Sequence, residues 1–222
     1  MKKFLAVWRQ RIYFFYLEYF TRLRKSDFRT IKSRKTPIVL VGGIYAGARS
    51  LLMMKKFFES KGYPVYLPSE KKNFQQIPVL AKRLQNQIKK IPAQKVQIIA
   101  HSMGGITTLQ ALRDAKTLAK IQQVITIGSP LNGCPMGNLA FWEYRNNQKY
   151  LAKNSETIHK LNSNKKINRK IRSLYAEFDE IVFPKKTSIL LGAKENRQLK
   201  VHGHLGLILA KKSFREIAKR LV

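Results

Sequence analysis

Short apolar runs alternate with longer, more polar segments along most of the chain. The run 37–41 is apolar throughout, and 63–68, 95–100, 121–127, 171–176 and 198–201 are short segments rich in apolar residues. A continuous run such as 37–41 is typical of a strand that is buried on both faces of a sheet, and the other segments also indicate strands. The segments between them repeat their apolar residues at helical spacing, over 48–60, 73–91, 105–119 and a final stretch that ends at 221. This alternation predicts an α/β fold with a mostly parallel central sheet and helices on both faces.

Residues 1–36 follow a different pattern, with aromatic side chains among basic ones. One stripe at helical spacing consists of Phe4, Trp8, Ile12, Phe15, Tyr19 and Leu23. Arg9 and Arg11 interrupt the first apolar run well short of the roughly 7–15 residues of a secretory signal. No run approaches the about 20 apolar residues of a membrane span. We therefore expect neither a cleavable signal peptide nor a transmembrane helix.

The pattern in 1–36 instead predicts an amphipathic helix followed by a basic connector. A basic helix that is rich in Trp and Phe is typical of an anchor that lies in the plane of a membrane surface. The same stripe is also compatible with packing on the rest of the protein. Phe14, Leu17 and Phe20 lie off the stripe, so both faces of the helix are candidates for contact.

The charge balance favours anionic partners. The chain of 222 residues has 44 Lys and Arg against 12 Asp and Glu, a formal net charge of +32. Such an excess suits an anionic membrane surface, which we expect, or nucleic acid, which we consider the weaker interpretation. Cys134 is the single cysteine, so no internal disulfide is possible. We expect a cytoplasmic protein, or one bound peripherally to the cytoplasmic face of a membrane.

The sequence Ala100-His101-Ser102-Met103-Gly104 joins a predicted strand to a predicted helix. A serine on so sharp a turn needs small residues two positions before and after it, and Ala100 and Gly104 meet that need. Its hydroxyl is then exposed at the N-terminus of the next helix, which favours developing negative charge. These features predict a nucleophilic serine.

Ala-His-Ser-Met-Gly-Gly resembles the nucleophile elbow of the α/β-hydrolase fold, and more narrowly that of the small lidless bacterial lipases of the Bacillus type. The resemblance extends from about residue 37 to the C-terminus and is poor over 131–169. It implies a hydrolase domain over 37–222 with a small cap-like insertion at 131–169. That insertion carries Phe141, Trp142, Tyr144 and Tyr150, which predict either an apolar rim over the serine or a surface loop with two short helices.

The resemblance also implies an oxyanion hole made of two backbone N–H groups. One belongs to Met103, which follows the nucleophile. The other belongs to Ile44, in the glycine-rich loop after the first central strand. Gly42 departs from the pattern, because these lipases have His at that position.

A catalytic serine needs a base, and the base needs an orienting acid. His204 matches the Gly-His-x-Gly of the resembled lipases, which favours it over the neighbouring His202. We expect the side chain of His101 to point away from the nucleophile. Asp179 follows a predicted strand and precedes Ile-Val-Phe-Pro. The order Ser102, Asp179, His204 is that of the α/β-hydrolases.

The implied activity is serine-dependent hydrolysis of lipid or other acyl esters through an acyl-enzyme, in the manner of a lipase or esterase. This chemistry requires no cofactor and no metal ion. The same triad would serve an acyltransferase or a thioesterase. A catalytically weak, basic membrane-binding protein with this fold is the alternative from another class.

Overall fold

A parallel sheet forms the centre of the protein. The computed structural model describes residues 2–44, 46–67, 75–135, 147–153 and 155–222. In this part of the chain, six strands form one sheet in the order β2-β1-β3-β4-β5-β6, and every neighbouring pair is parallel. The strands are β1 (Ile38–Val41), β2 (Val65–Tyr66), β3 (Val96–His101), β4 (Ile121–Ile127), β5 (Ile171–Phe178) and β6 (Glu195–His202). The predicted α/β fold is confirmed.

The apolar core lies on both faces of this sheet. Alternate residues of β1 belong to different clusters: Val39 and Val41 face one side, Ile38 and Leu40 the other. The first face is covered by α3 (Ile77–Lys90), α4 (Met103–Ala111) and α5 (Ala115–Lys120). The second is covered by α2 (Ala48–Glu59), α9 (Gly206–Leu209) and α10 (Lys211–Ala218). Burial on both faces explains why β1 has a continuous apolar sequence.

The segment 105–119, predicted as one helix, is divided into α4 and α5. The Asp114 carboxylate accepts hydrogen bonds from the backbone N–H (2.8 Å) and the hydroxyl (2.7 Å) of Thr117. An aspartate at this position caps a new helix N-terminus, which ends the preceding helix. The prediction of a single helix over 105–119 was therefore wrong. The predicted start of α3 at Asn73 lies outside the described residues, and β6 begins three residues earlier than predicted.

The described part of the 131–169 segment contributes to the core. It contains α6 (Gln148–Leu151), α7 (Glu156–Asn162) and α8 (Lys165–Asn168). Tyr150 and Ile158 are buried in the cluster that α3 and α4 cover, so Tyr150 is a core residue. The other three aromatic residues of the predicted rim, at 141, 142 and 144, lie outside the described residues.

The N-terminal helix α1 (Lys2–Phe20) packs on the second face of the domain. Val7, Phe14 and Leu17 are buried there. Its outer face exposes Leu5, Trp8, Ile12, Tyr13, Phe15, Tyr16, Tyr19 and Phe20. Trp8, Ile12, Phe15 and Tyr19 of the predicted stripe are therefore exposed, whereas Phe14 and Leu17, off the stripe, contact the domain. Leu23, the last residue of the stripe, follows α1 and packs against the core. Among the helices that the structure describes, none combines the length and apolar character needed to cross a bilayer.

Candidate active site

Ser102 lies at the turn between β3 and α4. Its backbone φ is +55°, and among the described residues it is the one non-glycine with a positive φ. Such a conformation is strained for a residue with a side chain. Two residues later, a Cβ on Gly104 would lie 2.7 Å from the carbonyl oxygens of Val41 and Gly42. The glycine thus permits α4 to start directly against the end of β1, and Ser102 stays partly exposed.

The glycine-rich loop after β1 lies against the nucleophile. A Cβ on Gly43 would be 2.6 Å from Ser102 Cβ and 3.2 Å from Ser102 Oγ. The backbone of the loop therefore reaches the serine at a distance that leaves no room for a side chain. Ile44 follows Gly43 and is partly buried, while Met103 is buried in the first turn of α4. The two predicted oxyanion donors thus belong to the two segments that meet at Ser102.

Asp179 and His204 form a hydrogen-bonded pair. Asp179 Oδ2 lies 2.8 Å from His204 Nδ1, and the two side chains are only 5% and 4% exposed. The other oxygen, Oδ1, accepts from the backbone N–H groups of Ile181 (2.9 Å) and Val182 (2.7 Å). Burial raises the pKa of Asp179, but the His204 ring and these hydrogen bonds outweigh it, so its pKa lies below the usual value. Asp179 is therefore an ionised carboxylate that is fixed on both oxygens.

The turn after β4 brings this pair towards the elbow. Gly128 has φ +57°, and a Cβ there would lie 3.3 Å from Asp179 Oδ2 and 3.4 Å from His204 Cε1. The preceding residue, Ile127, accepts a hydrogen bond from the Ser102 N–H at 3.0 Å. In the described part of the chain, no hydrogen bond joins the Ser102 hydroxyl to His204. In unliganded enzymes such a bond is often long and tightens when substrate binds.

The side chain of His101 contacts His204, which the sequence did not predict. Its ring packs beside that of His204, with the centroids 4.6 Å apart, and its Nε2 lies 3.3 Å from the His204 carbonyl oxygen. Burial, and secondarily the neighbouring His204, lowers the pKa of His101 to about 3. A neutral imidazole therefore supports the ring of His204. The alternation of side chains along a strand gave no signal for this contact, because the contact comes from the distant turn after β6.

The other histidines and aspartates of the chain, apart from His101, are not brought to this pair. His202 lies 3.6 Å from Glu177 at a partly exposed position, and His159 is exposed on α7. Asp27 belongs to the 3₁₀ helix Lys25–Phe28, and Asp114 caps α5. Within the described ranges, no group of three or more His, Cys, Asp or Glu residues is arranged to hold a metal ion.

Sequence and structure comparisons agree with this architecture. Residues 71–167, which include Ser102 but end before Asp179, match the family of the PGAP1-like alpha/beta domain. The Bacillus licheniformis lipase BlEst2 in its mature form has a similar structure, with a TM-score of 0.69 and 16% identity over 86% of this chain and 94% of that one.

Two further lipase structures are similar over most of this chain. Aspergillus fumigatus lipase B gives a TM-score of 0.68 and 20% identity, covering 81% of this chain and 51% of that one. A putative lipase from Acinetobacter baumannii AYE gives a TM-score of 0.58 and 14% identity, covering 95% of each chain. At such identities the likeness concerns the fold. The protein therefore has the α/β-hydrolase fold that its sequence motifs predict.

Proposed function

We propose that the protein is a serine carboxylic-ester hydrolase with Ser102 as nucleophile, His204 as base and Asp179 as orienting acid. The hydrogen bond between Asp179 and His204, next to a serine with strained backbone, is the observation that carries this proposal. A buried ionised carboxylate of this kind would be costly without a use, and its position beside the elbow supplies one. The similarity to lipases supports the substrate class.

Asp179 would hold the Nδ1–H tautomer of His204, which leaves Nε2 free to accept the Ser102 proton. The serine oxygen attacks the ester carbonyl, and the C=O electron pair moves to the oxygen. The N–H groups of Ile44 and Met103 stabilise that oxyanion, and the N-terminus of α4 adds to the field. His204 then protonates the leaving alcohol, and an acyl-enzyme remains. Water, deprotonated by His204, releases the acid and regenerates Ser102.

A series of p-nitrophenyl esters with short to long acyl chains tests this proposal. We expect hydrolysis by the wild-type protein and its loss in Ser102→Ala, with Ser163→Ala, at an exposed serine, as the matched control. Activity that extends to long acyl chains would identify a lipase-like enzyme, and activity limited to short chains a small-ester esterase. Equal hydrolysis by Ser102→Ala and the wild-type protein would refute the assignment of the nucleophile.

We also propose that the exposed face of α1 binds the surface of an anionic membrane, where lipid esters are available. Trp8, Ile12 and Phe15 are among its large apolar side chains and are each more than half exposed. Exposed basic residues accompany this face, with Arg9 on α1 and Arg22, Arg24 and Lys25 just after it. Aromatic side chains partition into the interfacial region, while the cations are attracted to acidic headgroups. This would place the protein peripherally on the membrane.

Co-sedimentation with phosphatidylglycerol and phosphatidylcholine vesicles tests the membrane proposal. We expect binding to the anionic vesicles that weakens with salt. The double substitution Trp8→Ser with Phe15→Ser removes about 2 kcal/mol of apolar transfer, which is about 30-fold in affinity. Leu191→Ser is the control, because Leu191 is 90% exposed and does not belong to α1. Equal loss of binding in the control, or binding independent of lipid charge, would contradict the proposal.

A further inference from the structure

The inner face of α1 carries polar side chains that contact two loops of the candidate active site. One is the loop between β1 and α2, which holds the proposed oxyanion donor Ile44. The other is the turn after β6, which holds His204. Neither contact is needed to bury α1, because Val7, Phe14 and Leu17 already pack on the domain.

Glu18 makes the contact with the first loop. Glu18 is only 3% exposed. Its Oε1 accepts hydrogen bonds from the backbone N–H groups of Gly47 and Ser50, both at 3.1 Å. Gly47 is the N-cap of α2 and the last residue of the oxyanion loop. The first N–H groups of a helix have no partner within the helix, and an anion there is stabilised by the helix dipole. Glu18 therefore caps α2 from another helix.

The opposite side of the same loop touches the nucleophile. Gly43 lies against Ser102, and the carbonyl of Gly42 lies under Gly104 at the start of α4. The loop is thus held between the elbow on one side and Glu18 on the other. The Ala46 N–H donates a hydrogen bond to the Gly43 carbonyl at 3.3 Å, so we expect a shift of Gly47 after the loss of Glu18 to reach Ile44.

Two further residues of α1 contact the turn that carries His204. Gln10 Nε2 donates a hydrogen bond to the His202 carbonyl at 2.9 Å. Arg11 lies 3.7 Å from Glu180, whose other carboxylate oxygen accepts the backbone N–H of His204 at 2.9 Å. One helix therefore contacts both the loop of the oxyanion donor and the turn of the base.

We propose that Glu18 is a positioning residue for the oxyanion loop, and that α1 through Glu18 sets the geometry of catalysis. The inference rests on the proposed ester hydrolysis and deepens it, because it assigns an internal catalytic role to a helix whose other face is exposed. A displacement of the oxyanion donor by about 1 Å is enough to lower a rate by about 100-fold.

The test compares Glu18→Ala and Glu18→Gln with Glu59→Gln on a soluble short-chain ester. Glu59 pairs with Lys55 at the other end of α2 and serves as the matched control, because its loss also removes a partly buried carboxylate. We expect kcat per titrated active site to fall about 100-fold in Glu18→Ala and about tenfold in Glu18→Gln. KM stays within about twofold, because the oxyanion exists only in the transition state. Glu59→Gln keeps the wild-type kcat.

Hydrogen exchange of the amides in 42–50 provides the second measurement. We expect faster exchange there in both Glu18 variants and wild-type exchange in Glu59→Gln. A normal kcat per titrated site in the Glu18 variants would overturn the inference. A lower melting temperature alone would not support it, because a purely structural role changes the folded fraction and not the kcat of each folded molecule. The absence of hydrolysis by the wild-type protein would refute the proposed function instead. Hydrolysis that is normal in the wild type and in the Glu18 variants refutes only the role of Glu18.

Discussion

Replacing Asp179 by Asn tests whether this carboxylate fixes the tautomer of His204. In the structure, Oδ1 accepts two backbone N–H groups, from Ile181 and Val182, while Oδ2 faces His204 Nδ1. In Asp179→Asn, the carbonyl oxygen of the new amide would keep the two backbone donors, because turning the amide would set its NH₂ group against them. The NH₂ group then faces Nδ1, so Nδ1 must be the unprotonated nitrogen. Nε2 carries the proton and cannot accept one from Ser102.

The magnitude follows from this change of tautomer. Turning the amide instead would leave two buried N–H groups without acceptors, at about 1–3 kcal/mol each, which keeps the unproductive tautomer dominant. Loss of the orienting carboxylate in serine triads lowers kcat by about 10⁴-fold. Four decades correspond to about 5.4 kcal/mol of transition-state stabilisation. We expect KM to change little, because Asp179 is buried behind His204 and is remote from bound ester.

The assay is the steady-state hydrolysis of a soluble p-nitrophenyl ester, with the fold checked by circular dichroism. Glu177→Gln is the matched control, since Glu177 lies two residues away and contacts His202 rather than His204. We expect the control to retain kcat within about twofold. An Asp179→Asn variant that is folded and within tenfold of the wild-type kcat would refute the role of Asp179.

Two more predictions concern the surroundings of the serine. The pKa of His101 is about 3 in the folded protein and about 6.5 in the unfolded chain. Between these pH values the imidazole is protonated only in the unfolded chain. The free energy of unfolding therefore falls as the pH falls through this range. In urea unfolding, we therefore expect this group to make the free energy of unfolding about 2 kcal/mol smaller at pH 5 than at pH 8. His101→Gln should lose this pH-dependent part. An equal pH dependence in the variant would contradict the assignment of the low pKa to His101. Gly43→Ala places a Cβ 2.6 Å from Ser102 Cβ, so we expect kcat to fall about 100-fold as the loop is pushed from the nucleophile; a normal kcat in the folded variant would show that the loop need not approach the serine.

The sequence was informative where a local pattern has a single structural meaning. β1 was predicted because its apolar residues are consecutive, as is typical of a strand covered on both faces. The strained turn at Ser102 was predicted because Ala100 and Gly104 are small at the two positions that the turn crowds. The motifs around Asp179 and His204 indicated the two residues that the structure joins by a hydrogen bond.

Other features depend on contacts between segments far apart in the chain. His101 packs on His204 because the turn after β6 lies over the end of β3, which no periodicity along β3 reveals. Helical spacing predicted α1 but could not decide which face packs on the domain, since both faces are apolar. Glu18 had a weak signal, a lone carboxylate beside Leu17 in a basic helix. Its proposed role depends on the hydrogen bond from Gly47, which is 29 residues away in the chain.

The most direct test of the proposed mechanism is to label the nucleophile covalently and locate the label. A fluorophosphonate, which reacts with activated serines through the oxyanion hole, is incubated with the wild-type protein and with Ser102→Ala, and the labelled peptides are sequenced by mass spectrometry. We expect one adduct per chain on Ser102 and none in Ser102→Ala. Labelling of another residue, or equal labelling of both proteins, would contradict it.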